Sequence, residues 1–299
     1  MKLIKEQPFA FNWLSKTKQL IPALLFICFI SSCSDHDQEL IIFHAGSLSV
    51  PFQELADLYE QQNPDIDVKL EAAGSIACAR KITELNRKAD IMASADIRII
   101  KEFLIPEYTD TAIAFTTNEM VLAYHNKSKG RDSINRQNWP KILLNKEIKY
   151  GRSNPDIDPC GYRSILTMKL QKKHLSSESF VNKLRNKDNK YIRPKETDLL
   201  ALLETHTIDY IFIYESVARQ HNLQWIALSD TVNLSKVSLQ DVYNTVQVNV
   251  QGSSPGDTLQ IKGNSMVYGY CLLKEAPNPH NARKFLDLLH SPKGKEIIQ

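Results

Sequence analysis

From residue 40 onward, short continuous apolar runs alternate with longer segments whose apolar positions recur three and four residues apart. The runs predict strands buried on both faces, and the longer segments predict amphipathic helices. Residues 40–44 (LIIFH) read as a buried strand. Val50, Leu55, Leu58 and Tyr59 mark one helix face, and Asn63-Pro64-Asp65 ends that helix. Residues 66–71 alternate as a strand, 75–87 read as a helix, 89–93 as a buried strand and 96–104 as a helix. This β-α-β-α-β-α order predicts a mostly parallel sheet covered by helices.

A second set follows a longer strand at 119–124. It comprises a strand near Lys149 and Tyr150, helices over 161–173, 179–186 and 198–205, and a strand at 210–214. Residues 249–264 are polar, with Gly252, Pro255, Gly256 and Gly263, and read as an exposed loop. A strand at 266–273 and helices at 279–290 and 292–298 close the chain. Two α/β sets joined by long strands predict two lobes with a cleft, with residues 39–117 and 249–299 in lobe I and 118–248 in lobe II.

The amino-terminal stretch has a different pattern. Lys2, Lys5, Lys16 and Lys18 precede an almost wholly apolar segment at 20–32 (LIPALLFICFISS). That run is shorter than the ~20 residues a membrane-spanning helix needs. A basic region before a short apolar one is the pattern of a secretory signal. The run ends Ile30-Ser31-Ser32-Cys33, an aliphatic residue and two small ones before Cys, which resembles the bacterial lipobox. Residues 1–32 are then a lipoprotein signal peptide, Cys33 the lipidated residue and 33–38 a tether. An ordinary signal peptide with an incidental Cys is the alternative. The expected location is outside the cytoplasm, anchored by lipid and facing the periplasm or cell exterior.

Composition narrows the class. A net charge of +3 and 24% charged residues, with basic groups scattered among acids, do not make a nucleic-acid surface. Cys78, Cys160 and Cys271 show no metal-ligand spacing. Cys271 lies in an apolar run and reads as a core thiol. Cys78 and Cys160 both fall near the candidate site, so a disulfide between them is one possibility in an exported protein. No nucleophile elbow, zinc-protease motif, phosphate-binding P-loop or dinucleotide fingerprint is present.

Ligands of open α/β sheets bind where strands end and helices begin. Two such junctions read Gly-Ser: Gly46-Ser47 after the first strand and Gly74-Ser75 after the second. Glycine admits close backbone approach, and a helix amino terminus with a free hydroxyl makes an anion site. At the third junction Asp158 and Pro159 have the form of a helix cap and first helical residue. At the fourth, Glu196 stands just before the helix at 198. Plain capping explains each residue taken singly. His44 reads as a packed strand-end residue.

Six stretches occur in order along the mature chain: FHAGSLSVPF (43–52), GSIACARKITEL (74–85), ADIMASAD (89–96), NEMVLAY (118–124), SNPDIDPCGYRS (153–164) and DYIFIYESVARQHNL (209–223). Together they resemble the periplasmic molybdate/tungstate-binding proteins, in particular the tungstate-binding type of archaea. The resemblance implies a two-lobed periplasmic-binding-protein fold (type II) with the ligand cleft between lobes. It implies a monomer that binds tungstate or molybdate and hands it to an ABC permease in the membrane, with no catalysis and no cofactor. By the same resemblance, Gly46, Ser47 and Ser75 bind oxo atoms from one lobe. The Asp158-Pro159-Cys160 turn offers N–H groups from the other, and Tyr214 reaches the anion. Asp158 and Glu196 match the carboxylates that bond the metal atom of the oxyanion itself. The segment between them is shorter than in archaeal members.

Two carboxylates beside a dianion repel it by several kcal/mol at ~4 Å and an effective dielectric near 20. A tungsten or molybdenum centre offsets this by expanding from four to six ligands, which sulfur and phosphorus do not do. The carboxylates then admit one class of oxyanion and reject the abundant ones. The alternatives are that Asp158 only caps its helix, that the cargo is another oxyanion such as sulfate, and, remotely, that the chain is a two-lobed transferase.

Overall fold

The computed structural model describes residues 39–175, 179–252, 254 and 256–299. The expected signal peptide, Cys33 and the expected tether lie outside the described residues. Among the described residues no helix is long and apolar enough to cross a membrane.

The first lobe is laid down by β1 (Glu39–Ala45), α1 (Ser49–Gln62), β2 (Asp67–Ala73), α2 (Ser75–Thr83), β3 (Ile91–Ser94), α3 (Ile97–Phe103) and β4 (Ile113–Thr117). The chain then crosses through Asn118 and Glu119 into the second sheet. There follow β5 (Met120–Tyr124), α4 (Trp139–Leu144), β6 (Tyr150–Ser153), α5 (Pro159–Leu175), α6 (Phe180–Asn186), β7 (Ile192–Arg193), α7 (Asp198–Glu204), β8 (Tyr210–Tyr214), α8 (Glu215–Gln220), β9 (Gln224–Ala227) and the short α9 (Gln240–Tyr243). A hairpin of β10 (Gln247–Gln251) and β11 (Thr258–Lys262) comes next. The strand β12 (Val267–Leu272) then returns to the first sheet, and α10 (Pro279–His290) and α11 (Pro292–Ile298) close the fold.

The first sheet runs β2-β1-β3-β12-β4 and the second β7-β6-β8-β5-β9. In the first, β1 is parallel to β2 and β3, while β12 is antiparallel to both β3 and β4. In the second, β6 is parallel to β7 and β8, and β5 is antiparallel to β8 and β9. Leu40, Ile42 and Phe43 of β1 and Ile91 and Met92 of β3 are buried, as central strands covered on both faces require. Every residue of β8 is buried for the same reason.

Three expectations are corrected. The polar segment at 249–264 is mostly a hairpin, with Val248 and Val250 buried and Gln247, Asn249 and Gln251 exposed. Its alternation was masked by the Gly- and Ser-rich tip. The strands β4, β7 and β9 and the helices α4, α8 and α9 were not anticipated, because they are short and partly exposed. Cys78 and Cys160 are free and buried. Their thiols face different sheets, since Cys78 Sγ donates to the His44 carbonyl and Cys160 Sγ to that of Phe212. Cys271 is a core thiol, as its apolar setting implied.

Candidate functional site

The carboxyl ends of β1, β2 and β3 face those of β6, β7 and β8. Gly46 and Ser47 follow β1 in a single 3-10 turn, Gly46–Leu48. Gly74 caps α2, and Ser75 opens it. From the other lobe, Asp158 precedes α5, and its Oδ1 accepts the Cys160 N–H at 3.4 Å. Its Oδ2 accepts the Glu196 N–H at 3.1 Å, which joins two predicted residues 38 positions apart.

The lobes meet here with no room to spare. A Cβ on Gly74 would lie 2.3 Å from the Ile157 carbonyl oxygen, and one on Gly46 would lie 3.0 Å from Thr197 Oγ1 and 3.3 Å from Glu196 Oε1. Glycine is needed at both places for close backbone approach. Ala77 N–H donates to the Ile157 carbonyl at 3.2 Å across the same seam.

Glu196 is the anomaly of the site. It is buried, and neither of its carboxylate oxygens makes a well-formed hydrogen bond among the described residues, although the Asp158 carboxyl and the Ser47 hydroxyl stand close enough to interact with it. Burial, followed by the charge of Asp158, raises its carboxyl well above the usual range. Burial also raises Asp158, against the pull of its hydrogen bonds. A buried acceptor left unmatched costs about 1–3 kcal/mol, and more if charged, so such groups mark a place where something else binds.

The hydroxyls around it have their acceptor sides filled. Ser75 Oγ accepts the Ala95 N–H at 3.0 Å. Ser47 Oγ accepts from Tyr268 Oη at 2.9 Å. Tyr214 Oη accepts from Arg163 Nη1 at 3.0 Å. Burial raises the phenol of Tyr214 far above its ordinary range, so it stays neutral and keeps its proton.

Behind these groups lies a buried ionic network that spans the lobes. Arg163 of α5 donates to the Ala95 carbonyl at 2.8 Å and pairs with Asp96 at 3.2 Å. Tyr162 donates to Asp96 at 2.7 Å, and Arg98 pairs with it at 2.6 Å. Burial works against the Asp96 carboxylate, but Arg98 and Arg163 hold it well below the usual range. Two guanidiniums against one carboxylate leave a net positive charge behind the hydroxyls.

The structure thus brings Gly46, Ser47, Ser75, Asp158 and Glu196 to one seam, with Tyr214 linked to it through Arg163. Pro159 starts α5 and has no N–H to offer. The Cys160 N–H is occupied by Asp158, so its amide serves the carboxylate directly. The Cys160 thiol is driven up by burial, then by Asp158 and Glu196, and is no nucleophile. Sequence reasoning passed over Arg163, Asp96 and Asn118, although each stands in a quoted motif. Tyr268 left no signal in a strand that reads as ordinary core.

A family model described as "Bacterial extracellular solute-binding protein" matches residues 40–299. An uncharacterised solute-binding protein of Petrotoga mobilis is 44% identical over 262 residues, covering 87% of this chain and 82% of that one. A molybdate/tungstate-binding protein of Thermococcus kodakarensis is 40% identical over 295 residues, covering 90% and 82%. Among solved structures, the periplasmic molybdate-binding protein of Azotobacter vinelandii superposes with a TM-score of 0.58 at 16% identity, covering 87% of this chain and 96% of that one. At that identity the likeness shows the two-lobed fold alone.

Proposed function

The chain belongs to the bacterial extracellular solute-binding protein family, and from that premise we propose that it captures tungstate or molybdate between its lobes for an ABC importer. The observation that carries this reading is Glu196: a buried carboxyl group with neither oxygen well hydrogen-bonded, held against the carboxyl of Asp158 where the lobes meet. A carboxylate only accepts hydrogen bonds. Once ionised, its oxygens can also bond an electrophile, and the expandable centre of a tungstate or molybdate dianion is one.

Donors and acceptors then divide the cargo between them. Hydroxyls of Ser47, Ser75 and Tyr214, together with the Ser75 and Ile76 N–H groups that open α2, take the oxo atoms. Asp158 and Glu196 take the metal atom. The cargo is bound without chemistry, and closure of the lobes sets the form the permease accepts. Cys33 carries the lipid that holds the monomer at the membrane; fractionation of a Cys33→Ser protein, expected in the soluble fraction, tests that anchor.

Titration calorimetry with tungstate, molybdate and sulfate decides the cargo. Wild-type protein should bind the first two and leave sulfate unbound. Glu196→Gln should weaken tungstate binding by at least about tenfold, or ~1.4 kcal/mol. The ligand-free variant should melt no lower than wild type, because the change removes a carboxylate held against Asp158. Comparable binding of sulfate, or an unchanged tungstate affinity in the variant, would refute the coordination role.

A further inference from the structure

We propose that Asn118 and Tyr268 form a hydrogen-bond relay that fixes the direction of the Ser47 hydroxyl and so makes this side of the site a donor to the cargo. The inference deepens the oxyanion reading above and rests on it.

The relay begins at the crossover between the two sheets. Asn118 Oδ1 accepts the backbone N–H of Glu119 at 3.0 Å and that of Ser216 at 3.3 Å. Those two amides can only donate, so they settle which end of the Asn118 amide is oxygen. Its Nδ2 must then face the other way, where it donates to Ser216 Oγ at 2.7 Å and to Tyr268 Oη at 3.2 Å. Tyr268 Oη, filled from Asn118, sends its own proton to Ser47 Oγ at 2.9 Å. Ser47 Oγ is thereby an acceptor on its Tyr268 side, and its proton is left to point elsewhere. Glu196 stands close enough to receive that proton in the free protein, and the cargo takes over from it as the acceptor on binding.

The other two hydroxyls are set by different means. A main-chain N–H fills Ser75, and Arg163, which cannot lose its proton, fills Tyr214. At Ser47 the polarity is transmitted through two side chains, and one isosteric change can reverse it. Asn118→Asp turns the donor to Tyr268 into an acceptor. Tyr268 then sends its proton back to residue 118, and Ser47 must donate to Tyr268. The cargo loses one donor with no change of shape. The register shift between Tyr268 and Gly269 on β12 is the local irregularity that accompanies this placement of the phenol. Asn118 and Tyr268 are positioning residues: neither needs to touch the anion.

A double-mutant cycle separates this polarity effect from the charge that Asp also introduces. Tungstate affinity is measured by calorimetry for wild type, Asn118→Asp, Tyr268→Phe and the double variant. The tungstate-induced rise in melting temperature is recorded beside the ligand-free melting temperature, so that binding is read apart from folding. Asn118→Asp should lower affinity by roughly tenfold or more in the wild-type background, the range for one hydrogen bond to a charged group. In the Tyr268→Phe background the same change should cost only its smaller charge effect. Equal losses in the two backgrounds overturn the relay while leaving the cargo reading intact. If wild-type protein takes up neither tungstate nor molybdate, both fall together. Should Asn118→Asp fail to fold, Ser47→Ala in the wild-type and Tyr268→Phe backgrounds closes an equivalent cycle, and additive losses there overturn the relay.

Discussion

His44 shows how a single side chain ties the site to its lobe. It is the last residue but one of β1, lies against Phe52 with ring centroids 5.5 Å apart, and bonds through Nδ1 to the Ala45 carbonyl at 2.9 Å. Burial lowers its pKa from 6.5 to about 4, so the folded protein holds the ring neutral. The unfolded chain takes up a proton as pH falls through 6.5, and the folded chain does not until about 4. Stability is therefore complete above that upper value and is lost as pH falls across this window, by up to about 3 kcal/mol. Denaturant titrations at pH 7 and pH 4.5 should show this loss, and His44→Gln should flatten it. The same residue was legible as a packed strand end from its place in LIIFH. The orphaned carboxylate of Glu196 was not legible, because a Glu beside a helix start looks the same whether solvent or a buried seam faces it.

At the scale of elements, helix starts carry the site, and their glycines set how closely the lobes approach. Gly74 caps α2 directly against the Ile157 carbonyl that precedes α5. A methyl group there meets backbone from the opposite lobe, and the lobes can relieve the clash only by parting. Gly74→Ala should accordingly spare the ligand-free fold and weaken tungstate binding, by about 1–3 kcal/mol, which is roughly fivefold to 150-fold. Calorimetry and a ligand-free melt on the same sample check both halves. The hairpin of β10 and β11 adds a second tie across the seam. Arg80 of α2 donates to the carbonyls of Gln251 and Gly252, while the Gln251 N–H donates to Asp156 ahead of α5. Most helices, most strands and their junctions were readable because apolar periodicity is local. The hairpin was not, since two buried valines among polar neighbours make a faint alternation.

For the whole molecule, a buried ionic network ties the two lobes together. Arg163 reaches from α5 to Ala95 and Asp96 in the first lobe while holding Tyr214 in its own. Arg163→Met breaks all three links but leaves Asp96 paired with Arg98. Removing one partner of a buried ion pair costs about 3–5 kcal/mol. Much of that cost should fall on the closed form, where Arg163 meets the first lobe. Solution scattering should show wild-type protein compacting when tungstate is added, and the Arg163→Met variant compacting less at the same concentration. Equal compaction would mean that the network has no part in closure.

Sequence alone determined the succession of buried strands and amphipathic helices, the Gly-Ser junctions and the family likeness, because these rest on neighbouring residues and their spacing. Only the tertiary structure decided which junctions face one another. It set Glu196 against Asp158 and Gly46, carried Arg163 to Asp96, and ran Asn118 through Tyr268 to Ser47. Those contacts join residues from 38 to 221 positions apart. Hydrogen-bond direction and desolvation depend on what surrounds an atom in space, and no local pattern in the chain encodes that.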